Sequence, residues 1–189
     1  MHYNSSFPNE LTSDANPNRN VIDHYKAFSD SFIKNDLHDK SFDLDVIAEN
    51  FAYDFNIATL VRNSNAFRAR KVFITGNKRW DRRGAVGTYK YTPVEHVANP
   101  EDFYKKTAAK RSLIVVDNIP SASDLFSFSW PTGPISLLFG QEQIGVSNLA
   151  LKYATSVVYI PQQGSVRSLN VGTSSGIILY EHLRFRSLQ

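Results

Sequence analysis

Five polar side chains stand at three places where an apolar run gives way to a helical pattern. Asn56 and Arg62 belong to the first place, Glu142 to the second, and Ser168 and Asn170 to the third. Amide, carboxylate, hydroxyl and guanidinium groups can hydrogen-bond a ligand and stabilise charge, so these residues are candidates for a functional site. Structural roles are the alternatives for Ser168, which could cap a helix, and for Glu142, which could be solvated in a turn. Asn56 could cap its helix and also hydrogen-bond within the site. Capping explains Asn170 less well, because the pattern places it two residues inside the last helix.

Several kinds of catalytic site are excluded by what the sequence lacks. The chain has no cysteine, and its five histidines are scattered without an HxxxH pair, so we expect neither a thiolate nucleophile nor a metal site. Residues 172–176 match G-x-S-x-G but lie within a helical pattern, which favours close helix packing over a hydrolase. Residues 140–145 have the glycine spacing of a phosphate-binding loop but lack the lysine that must follow, so an NTPase is not expected.

A long polar loop at residues 77–92 interleaves cations with aromatic rings. This combination suits phosphate contacts together with base stacking. A solvated surface loop is the alternative, although loops of this length at the mouth of a sheet are often functional. The candidate nucleic-acid contacts in this loop are Lys78, Arg79, Arg82, Arg83 and Lys90.

Strands alternate with helices along the chain, and this alternation predicts the frame that positions the polar residues. Short apolar runs predict five strands, at residues 42–47, 71–75, 113–116, 135–139 and 156–160. Helical patterns begin at Val21, at Asn56 and after Asn99, and two more cover residues 147–153 and 168–186. The alternation implies an α/β fold with a mostly parallel sheet covered by helices on both faces, whose ligands bind outside the carboxyl ends of the strands.

The bulk composition bounds the size and surroundings of the protein. The chain has 189 residues, of which 42% are hydrophobic, enough for the core of one domain, which we place at residues 19–189 behind a flexible tail at residues 1–18. A net charge of +3 permits a nucleic-acid partner without requiring one. Neither an apolar run of membrane-spanning length nor a signal-peptide pattern is evident, so we expect a cytoplasmic protein without a membrane partner.

The three polar segments, taken together and in order, carry a family resemblance. In residues 56–67 an Asn is followed six positions later by an Arg and then by Ala-Phe. Residues 140–145 read Gly-x-Glu-x-x-Gly, and residues 160–181 run from Ile-Pro through Ser-Leu-Asn to Tyr-Glu. This set resembles the TrmH-type (SpoU) branch of the SPOUT RNA 2′-O-ribose methyltransferases. The resemblance implies a C-terminal trefoil knot and a homodimer whose active sites borrow residues from both subunits.

The resemblance also implies a reaction, a cofactor and residue roles. The protein would transfer a methyl group from S-adenosylmethionine to a ribose 2′-hydroxyl of RNA, with transfer RNA favoured over ribosomal RNA because no added recognition domain is evident. Arg62 would contact the target nucleotide and stabilise charge, since an arginine stays protonated. The implied catalytic set is Asn56, Arg62, Glu142, Ser168 and Asn170. The implied cofactor contacts are Val116, Gly140, Ile160, Ser168 and Leu169.

Two alternatives share the same fold, and three positions depart from the family pattern. A non-catalytic RNA-binding protein would be expected to lack some of the polar motif residues, all of which are present. A base-nitrogen methyltransferase is disfavoured by the Ser-Leu-Asn ending. The departures are Asn63, Arg68 in place of a common glycine, and Gln162 in place of the more usual methionine. They leave the polar motif residues intact, so they bear on packing or on the identity of the RNA.

Overall fold

A computed structural model describes residues 18–76 and 79–189. Within those residues the strands are β1 (Phe42–Glu49), β2 (Ala69–Thr75), β3 (Val94–Val97), β4 (Ser112–Val116), β5 (Ser123–Asp124), β6 (Ile135–Phe139) and β7 (Ser156–Tyr159). The α-helices are α1 (Asp30–Asp39), α2 (Asp54–Ala66), α3 (Pro100–Ala108), α4 (Asn148–Tyr153) and α5 (Val171–Ser187).

The strands form one sheet in the order β3-β2-β1-β6-β4-β7-β5, and every neighbouring pair is parallel. Successive residues of a strand face opposite sides, and both sides are apolar here. Val46 and Leu137 contribute to the core on the side of α2 and α5, whereas Ile47 and Leu138 contribute to the core on the side of α3 and α4. The predicted α/β fold with a mostly parallel, doubly covered sheet is confirmed.

All five predicted strands are present, with ends shifted by at most two residues. The apolar pattern misses β3 and β5, which lie at the two edges of the sheet. The two central residues of β3, Glu95 and His96, are polar and exposed, and β5 is only two residues long. Edge strands of this kind carry too little apolar signal to be recognised without their pairing partners.

The first helix begins later than the apolar pattern predicts. From Val21 the chain forms only a short 3-10 turn, Asp23–Tyr25, and α1 begins at Asp30. The Ser29 side chain accepts a hydrogen bond from the backbone N–H of Phe32 at 3.1 Å and so caps α1. The cap, instead of the apolar spacing, determines where the helix starts.

A network of ion pairs at the amino ends of the strands explains Asp43 and Asp45 of β1. Asp45 is 5% exposed, and its carboxylate accepts hydrogen bonds from Arg70 at 3.0 to 3.2 Å. The Arg111 guanidinium contacts Asp43 at 2.6 Å and Asp45 at 3.3 Å. Burial of a carboxylate is tolerated because two guanidinium groups surround it. The network lies opposite the carboxyl edge of the sheet, so its role is structural.

Helices α2 and α5 pack closely because small residues face each other. A Cβ atom added to Gly172 would lie 2.9 Å from Thr59 Cγ2, so only glycine permits this approach. The Asn63 amide donates to the Gly172 carbonyl and to Ser175 Oγ, both at 3.0 Å. The G-x-S-x-G match therefore lies in the first turns of α5 and serves helix packing, as expected. Asn63, one of the departures from the family pattern, ties the two helices together.

His182 on α5 is buried, and its titration predicts a pH-dependent stability. It is 1% exposed, and its ring packs against Phe42 and Trp130 at 5.4 and 5.3 Å. Burial, assisted by the charge of Arg186, lowers the pKa of His182 from 6.5 to about 4. Between these two values the unfolded chain takes up a proton that the folded protein does not, so stability present above pH 6.5 is lost as the pH falls towards 4.

We expect the free energy of unfolding to fall by up to about 3 kcal/mol more in the wild type than in a His182→Gln variant between neutral pH and pH 4. The glutamine is polar and of similar size but does not titrate. Urea unfolding curves recorded across this range measure the difference. Parallel pH profiles for the two proteins would contradict the assignment to His182.

Two further features bear on expectations from the sequence. Among the described residues, no helix is long and apolar enough to cross a membrane, and no group of His, Asp and Glu side chains is arranged to hold a metal ion. The trefoil knot stays a prediction, as does the division into a tail at residues 1–18 and a domain at residues 19–189. Residues 1–17 lie outside the part of the chain that the structure describes.

Candidate active site

The carboxyl ends of β4, β6 and β7 meet the first turns of α2 and α5 around a cavity of ≈ 530 Å³. Parallel α/β sheets bind their ligands at this edge, and the volume suits a small organic molecule. Several of the lining residues follow directly after a strand, which brings their backbone groups to the same edge. All five residues predicted to contact the cofactor line this cavity: Val116, Gly140, Ile160, Ser168 and Leu169.

Three polar residues that are distant in sequence are joined by side-chain hydrogen bonds at the cavity wall. Asn56 Nδ2 donates to Glu142 Oε1 at 2.7 Å, and Asn170 Nδ2 donates to Asn56 Oδ1 at 3.0 Å. The second oxygen of Glu142 accepts the backbone N–H of Ala52 at 2.9 Å. In each of the two side-chain bonds an amide NH2 group donates to an oxygen, so the network fixes which way the two asparagine amides point. One residue from each of the three sequence segments is thereby held in a single arrangement.

The turn that carries Glu142 requires its two glycines. Gly145 has a φ of +79°, and a Cβ atom on Gly140 would lie 2.5 Å from the backbone of Gly145. Gln141 and Gly145 exchange backbone hydrogen bonds at 3.1 and 2.8 Å, which closes the turn. Asp117 at the end of β4 accepts the N–H of Val146 at 3.0 Å and anchors the turn to the sheet. The carboxylate of Glu142 is thus carried on a rigid support.

The helix boundaries differ from the predicted ones and change two residue roles. Asn56 is not the N-cap of α2, because the helix begins at Asp54 and Tyr53 occupies the cap position without a side-chain cap. Its amide, 1% exposed, belongs to the network described above. Asn170 is the N-cap of α5 and accepts the Thr173 N–H at 3.1 Å, so capping does explain it. Ser168 is exposed and precedes α5 by three residues, so it is not a cap.

Arg62 lies on α2 but does not line the cavity of its own chain. Its side chain is exposed, six residues beyond the buried Asn56. Six residues correspond to about 9 Å along a helix and about one and two-thirds turns around it, so Arg62 points about 120° away from Asn56. The structure therefore separates Arg62 from the other four residues of the predicted catalytic set.

The polar loop at residues 77–92, called the basic loop from here on, partly folds into 3-10 turns beside α2. Arg82 lies with its guanidinium 5.2 Å from the ring centre of Tyr89 and is exposed. Arg83 is also exposed and pairs with Asp81 at 2.6 Å, which lowers the pKa of that carboxyl group to about 2. Arg79 is exposed, Lys90 pairs with Asp30 at 3.6 Å, and Lys78 lies outside the described residues.

Several residues that line the cavity were not among the predicted site residues. Asp117 comes directly after a strand, and a polar residue at that position is itself a sequence signal for a ligand site. Tyr53 and Phe55 lie three and one positions before the predicted Asn56, and Arg167 immediately precedes Ser168. These three gave no signal of their own, because exposed aromatic and basic residues are common on any surface.

Arg68, another departure from the family pattern, stands where the backbone favours glycine. Its φ is +62°, a conformation that L-residues adopt at a cost of about 1 kcal/mol. The side chain offers compensation, since its guanidinium donates to the Lys40 carbonyl and lies 4.8 Å from the ring centre of Phe42. The substitution therefore acts on packing between α2 and the start of β1.

The parallel α/β fold, the cavity at its carboxyl edge and the polar network drawn from three separate segments define an α/β domain with a candidate ligand site at the end of its sheet. Residues 43–180 match the model of the SpoU rRNA methylase family. The chain belongs to that family.

Individual relatives agree with this assignment. The chain is 30% identical over 154 residues to the tRNA (guanosine(18)-2′-O)-methyltransferase of Aquifex aeolicus, covering 79% of this chain and 73% of that protein. It is 25% identical to the 23S rRNA (guanosine-2′-O-)-methyltransferase RlmB of Haemophilus influenzae, covering 85% of this chain and 68% of that protein. It resembles the SpoU methyltransferase AviRb of Streptomyces viridochromogenes in complex with the cofactor AdoMet, with a TM-score of 0.70, 27% identity and coverage of 77% and 61%.

The resemblance to the TrmH-type (SpoU) branch is thereby confirmed, as are the enzyme class and S-adenosylmethionine as its cofactor. The relatives include enzymes named for tRNA and enzymes named for 23S rRNA. The choice between the two RNAs, the homodimer, and the roles of individual residues stay predictions.

Proposed function

We propose that this protein transfers a methyl group from S-adenosylmethionine to the 2′-hydroxyl of a ribose in RNA. The observation that carries the proposal is the hydrogen-bonded network of Glu142, Asn56 and Asn170 at the wall of a ligand cavity, in a chain of the SpoU family. The non-catalytic alternative is less favoured for two reasons. The chain belongs to that family, and the polar residues of all three segments are present, with three of them hydrogen-bonded together.

The cavity fits the adenosine part of this cofactor. Val116, Ile160 and Leu169 supply partly buried apolar walls at the carboxyl edge of the sheet. Gln162 also lines the cavity, and its buried Oε1 has no hydrogen-bond partner among the described residues. Buried acceptors are normally paired, and a glutamine amide is complementary to the amine and ring nitrogen of adenine. The residues present therefore suit a purine nucleoside.

The bound cofactor supplies an electrophilic methyl group, and the protein's contribution is to hold the accepting ribose in line with it. The Glu142 carboxylate orients Asn56, and Asn56 in turn orients Asn170. This leaves a rigid polar wall against which a ribose hydroxyl can be positioned. Ser168, exposed at the cavity, offers a further hydroxyl to the ligand.

The position of Arg62 supports a homodimer with shared active sites. Since Arg62 faces away from its own cavity, we infer that it enters the cavity of a second copy, where it contacts the target nucleotide and stabilises charge. Ile177 and Tyr180 of the neighbouring α5 are 37% and 57% exposed, and such apolar residues suit an interface between copies. The two-subunit site thus reconciles the position of Arg62 with its predicted role.

Transfer RNA is the substrate that we favour over ribosomal RNA, and the cytoplasm is the expected compartment. The described part of the chain forms one sheet, and the proposed RNA contacts lie on this domain and its dimer. Arg79, Arg82, Arg83 and the aromatic residues around them extend the RNA surface beyond the cavity. Lys90 is assigned to the edge of this surface, since it is paired with α1.

The test of this proposal combines binding with product analysis. The purified protein is titrated calorimetrically with S-adenosylmethionine and S-adenosylhomocysteine, and then incubated with labelled cofactor and either tRNA or rRNA lacking modifications. Saturable binding and label recovered as a 2′-O-methylated nucleotide are expected, with tRNA the better acceptor. Label on a base, or no transfer to either RNA by a protein that binds the cofactor, would overturn the proposed reaction.

Removal of two charges from the basic loop is expected to weaken RNA binding in a salt-dependent way. If Arg82 and Arg83 contact phosphates, the Arg82→Gln/Arg83→Gln variant should flatten the slope of log affinity against log salt by about 1.5. Filter binding or anisotropy at several salt concentrations measures the slope. The Lys105→Gln/Lys106→Gln variant, which removes two exposed charges from α3, is the matched control. Equal salt slopes for the two variants would indicate that the loop is a solvated surface that does not contact RNA phosphates.

A further inference from the structure

An exposed pair of stacked aromatic rings stands at the start of α2. Tyr53 and Phe55 are 45% and 60% exposed. Their ring centres lie 5.6 Å apart and their planes differ by 26°, which is a stacked arrangement. Single exposed aromatic residues need no explanation, but two that stack on each other present a continuous apolar surface to the solvent. We expect such a surface to bind a partner of matching shape.

The pair belongs to the rim of the cavity and adjoins the polar network. Tyr53 and Phe55 both line the same cavity as Glu142 and Asn170. Phe55 directly precedes Asn56, whose amide is held by Glu142 at 2.7 Å. A nucleotide whose ribose lies against the network therefore has its base within reach of the two rings.

The same segment is tied to the basic loop. Asp54, between the two aromatic residues, accepts the backbone N–H of Asp81 at 3.1 Å. Gly84 of the loop approaches α2 so closely that a Cβ atom there would lie 2.9 Å from Ala58 Cβ. The loop that carries Arg82 and Tyr89 is thus joined to the segment that forms the cavity rim.

We propose that Tyr53 and Phe55 form a platform on which an unpaired RNA base stacks while its ribose, or that of an adjacent nucleotide, is held for methylation. The inference rests on the proposed function and adds a requirement for a base that is single-stranded or turned out of a helix. Aromatic side chains are the common means of holding such bases, and every base has a face to offer. The platform therefore contributes affinity and position without selecting a particular nucleotide.

A second copy of the chain is the competing occupant of these rings. In the proposed dimer Arg62 of the second copy already reaches the cavity, and coverage of Tyr53 and Phe55 as well would leave the RNA no entry. The exposed residues Ile177 and Tyr180 of α5 offer an apolar surface outside the cavity lining for that contact. The rim position thus favours RNA as the occupant.

The test uses a short single-stranded RNA that contains the fluorescent base 2-aminopurine, and a matched RNA in which that position is abasic. Stacking on the rings should quench the fluorescence. We expect Tyr53→Ala and Phe55→Ala each to weaken binding of the fluorescent RNA about tenfold and to reduce the quenching. The salt dependence of binding should be unchanged, because no phosphate contact is removed. Phe55→Trp should restore both signals, and the abasic RNA should bind the wild type and Phe55→Ala equally.

Matched controls separate this inference from folding, from dimer assembly and from the proposed reaction. Phe126→Ala removes a side chain that is 84% exposed and lies outside the cavity lining, and it should behave as the wild type. If Phe55→Ala and Tyr53→Ala bind the RNA with wild-type affinity and quenching, the platform is overturned. It is also overturned if either variant no longer sediments as a dimer. Binding of S-adenosylhomocysteine should be unchanged in Phe126→Ala. A wild type that binds no cofactor would refute the proposed reaction but not the stacking result.

Discussion

Replacement of Arg62 by alanine is expected to lower the rate of methyl transfer by about 10²- to 10³-fold, the loss that follows removal of one charge-stabilising donor. Affinity for S-adenosylhomocysteine should stay near the wild-type value, because the proposed contact of Arg62 is with the target nucleotide and not with the cofactor. Single-turnover rates with saturating RNA and calorimetry with the cofactor product measure the two effects. Lys106→Ala, which removes an exposed cation from α3, is the matched control.

A mixing experiment tests whether Arg62 acts on the partner's site. Arg62→Ala and Asn170→Ala each damage a different half of a shared site, so a mixed dimer contains one intact site. Random exchange of subunits in an equal mixture should restore about a quarter of the wild-type activity, since half of the dimers are mixed and each has one working site. No recovery after verified exchange would place Arg62 on its own chain's site. Normal turnover in Arg62→Ala alone would remove its assigned role altogether.

The second large effect concerns the bond between Asn56 and Glu142. In Asn56→Asp, a carboxylate oxygen replaces the amide that donates to Glu142 at 2.7 Å, so two carboxylates face each other. We expect a fall in the free energy of unfolding of about 2 kcal/mol and a loss of activity of about a hundredfold, because the polar wall is displaced. Glu142→Gln should also be impaired, since one of the two oxygens that face Asn56 Nδ2 and the Ala52 N–H becomes an amide NH2, which cannot accept a hydrogen bond.

The double variant Asn56→Asp/Glu142→Gln exchanges the two groups and keeps every hydrogen bond. The new aspartate can accept from Asn170 and from the new glutamine amide, whose oxygen can accept the Ala52 N–H. Unfolding free energies of the four proteins should give a favourable coupling of about 1–3 kcal/mol, and activity should recover relative to either single variant. Recovery of stability without any recovery of activity would contradict a purely orienting role and would require the negative charge at Glu142 itself.

Much of the fold was predictable because it is encoded by local patterns. Continuous apolar runs such as residues 135–139 predict buried strands, and the Asn99-Pro100 start of α3 matches its predicted cap. Their alternation is sufficient for a parallel sheet with helices on both faces. The local signal fails for β3 and β5, because edge strands are defined by the neighbour they pair with. It also misplaces the start of α2, where a good capping residue lies inside the helix.

The candidate site was predictable as a set of residues but not as an arrangement. Asn56 was expected to cap a helix and Asn170 to lie inside one, whereas the structure has Asn56 inside α2 and Asn170 as the cap of α5. Tyr53, Phe55 and Gln162 drew no prediction as site residues, since nothing in their spacing distinguishes them from ordinary surface positions.

The sequence by itself determined which groups are available for chemistry, which chemistries are absent and where strands give way to helices. Only the tertiary structure decided that Glu142 and Asn170, 86 and 114 positions from Asn56, meet at one amide, and that Arg62 on the same helix does not. The physical reason is that strand register, the closeness of α2 to α5 and the direction of each side chain depend on contacts between distant segments. Local periodicity and capping preferences carry no information about those contacts.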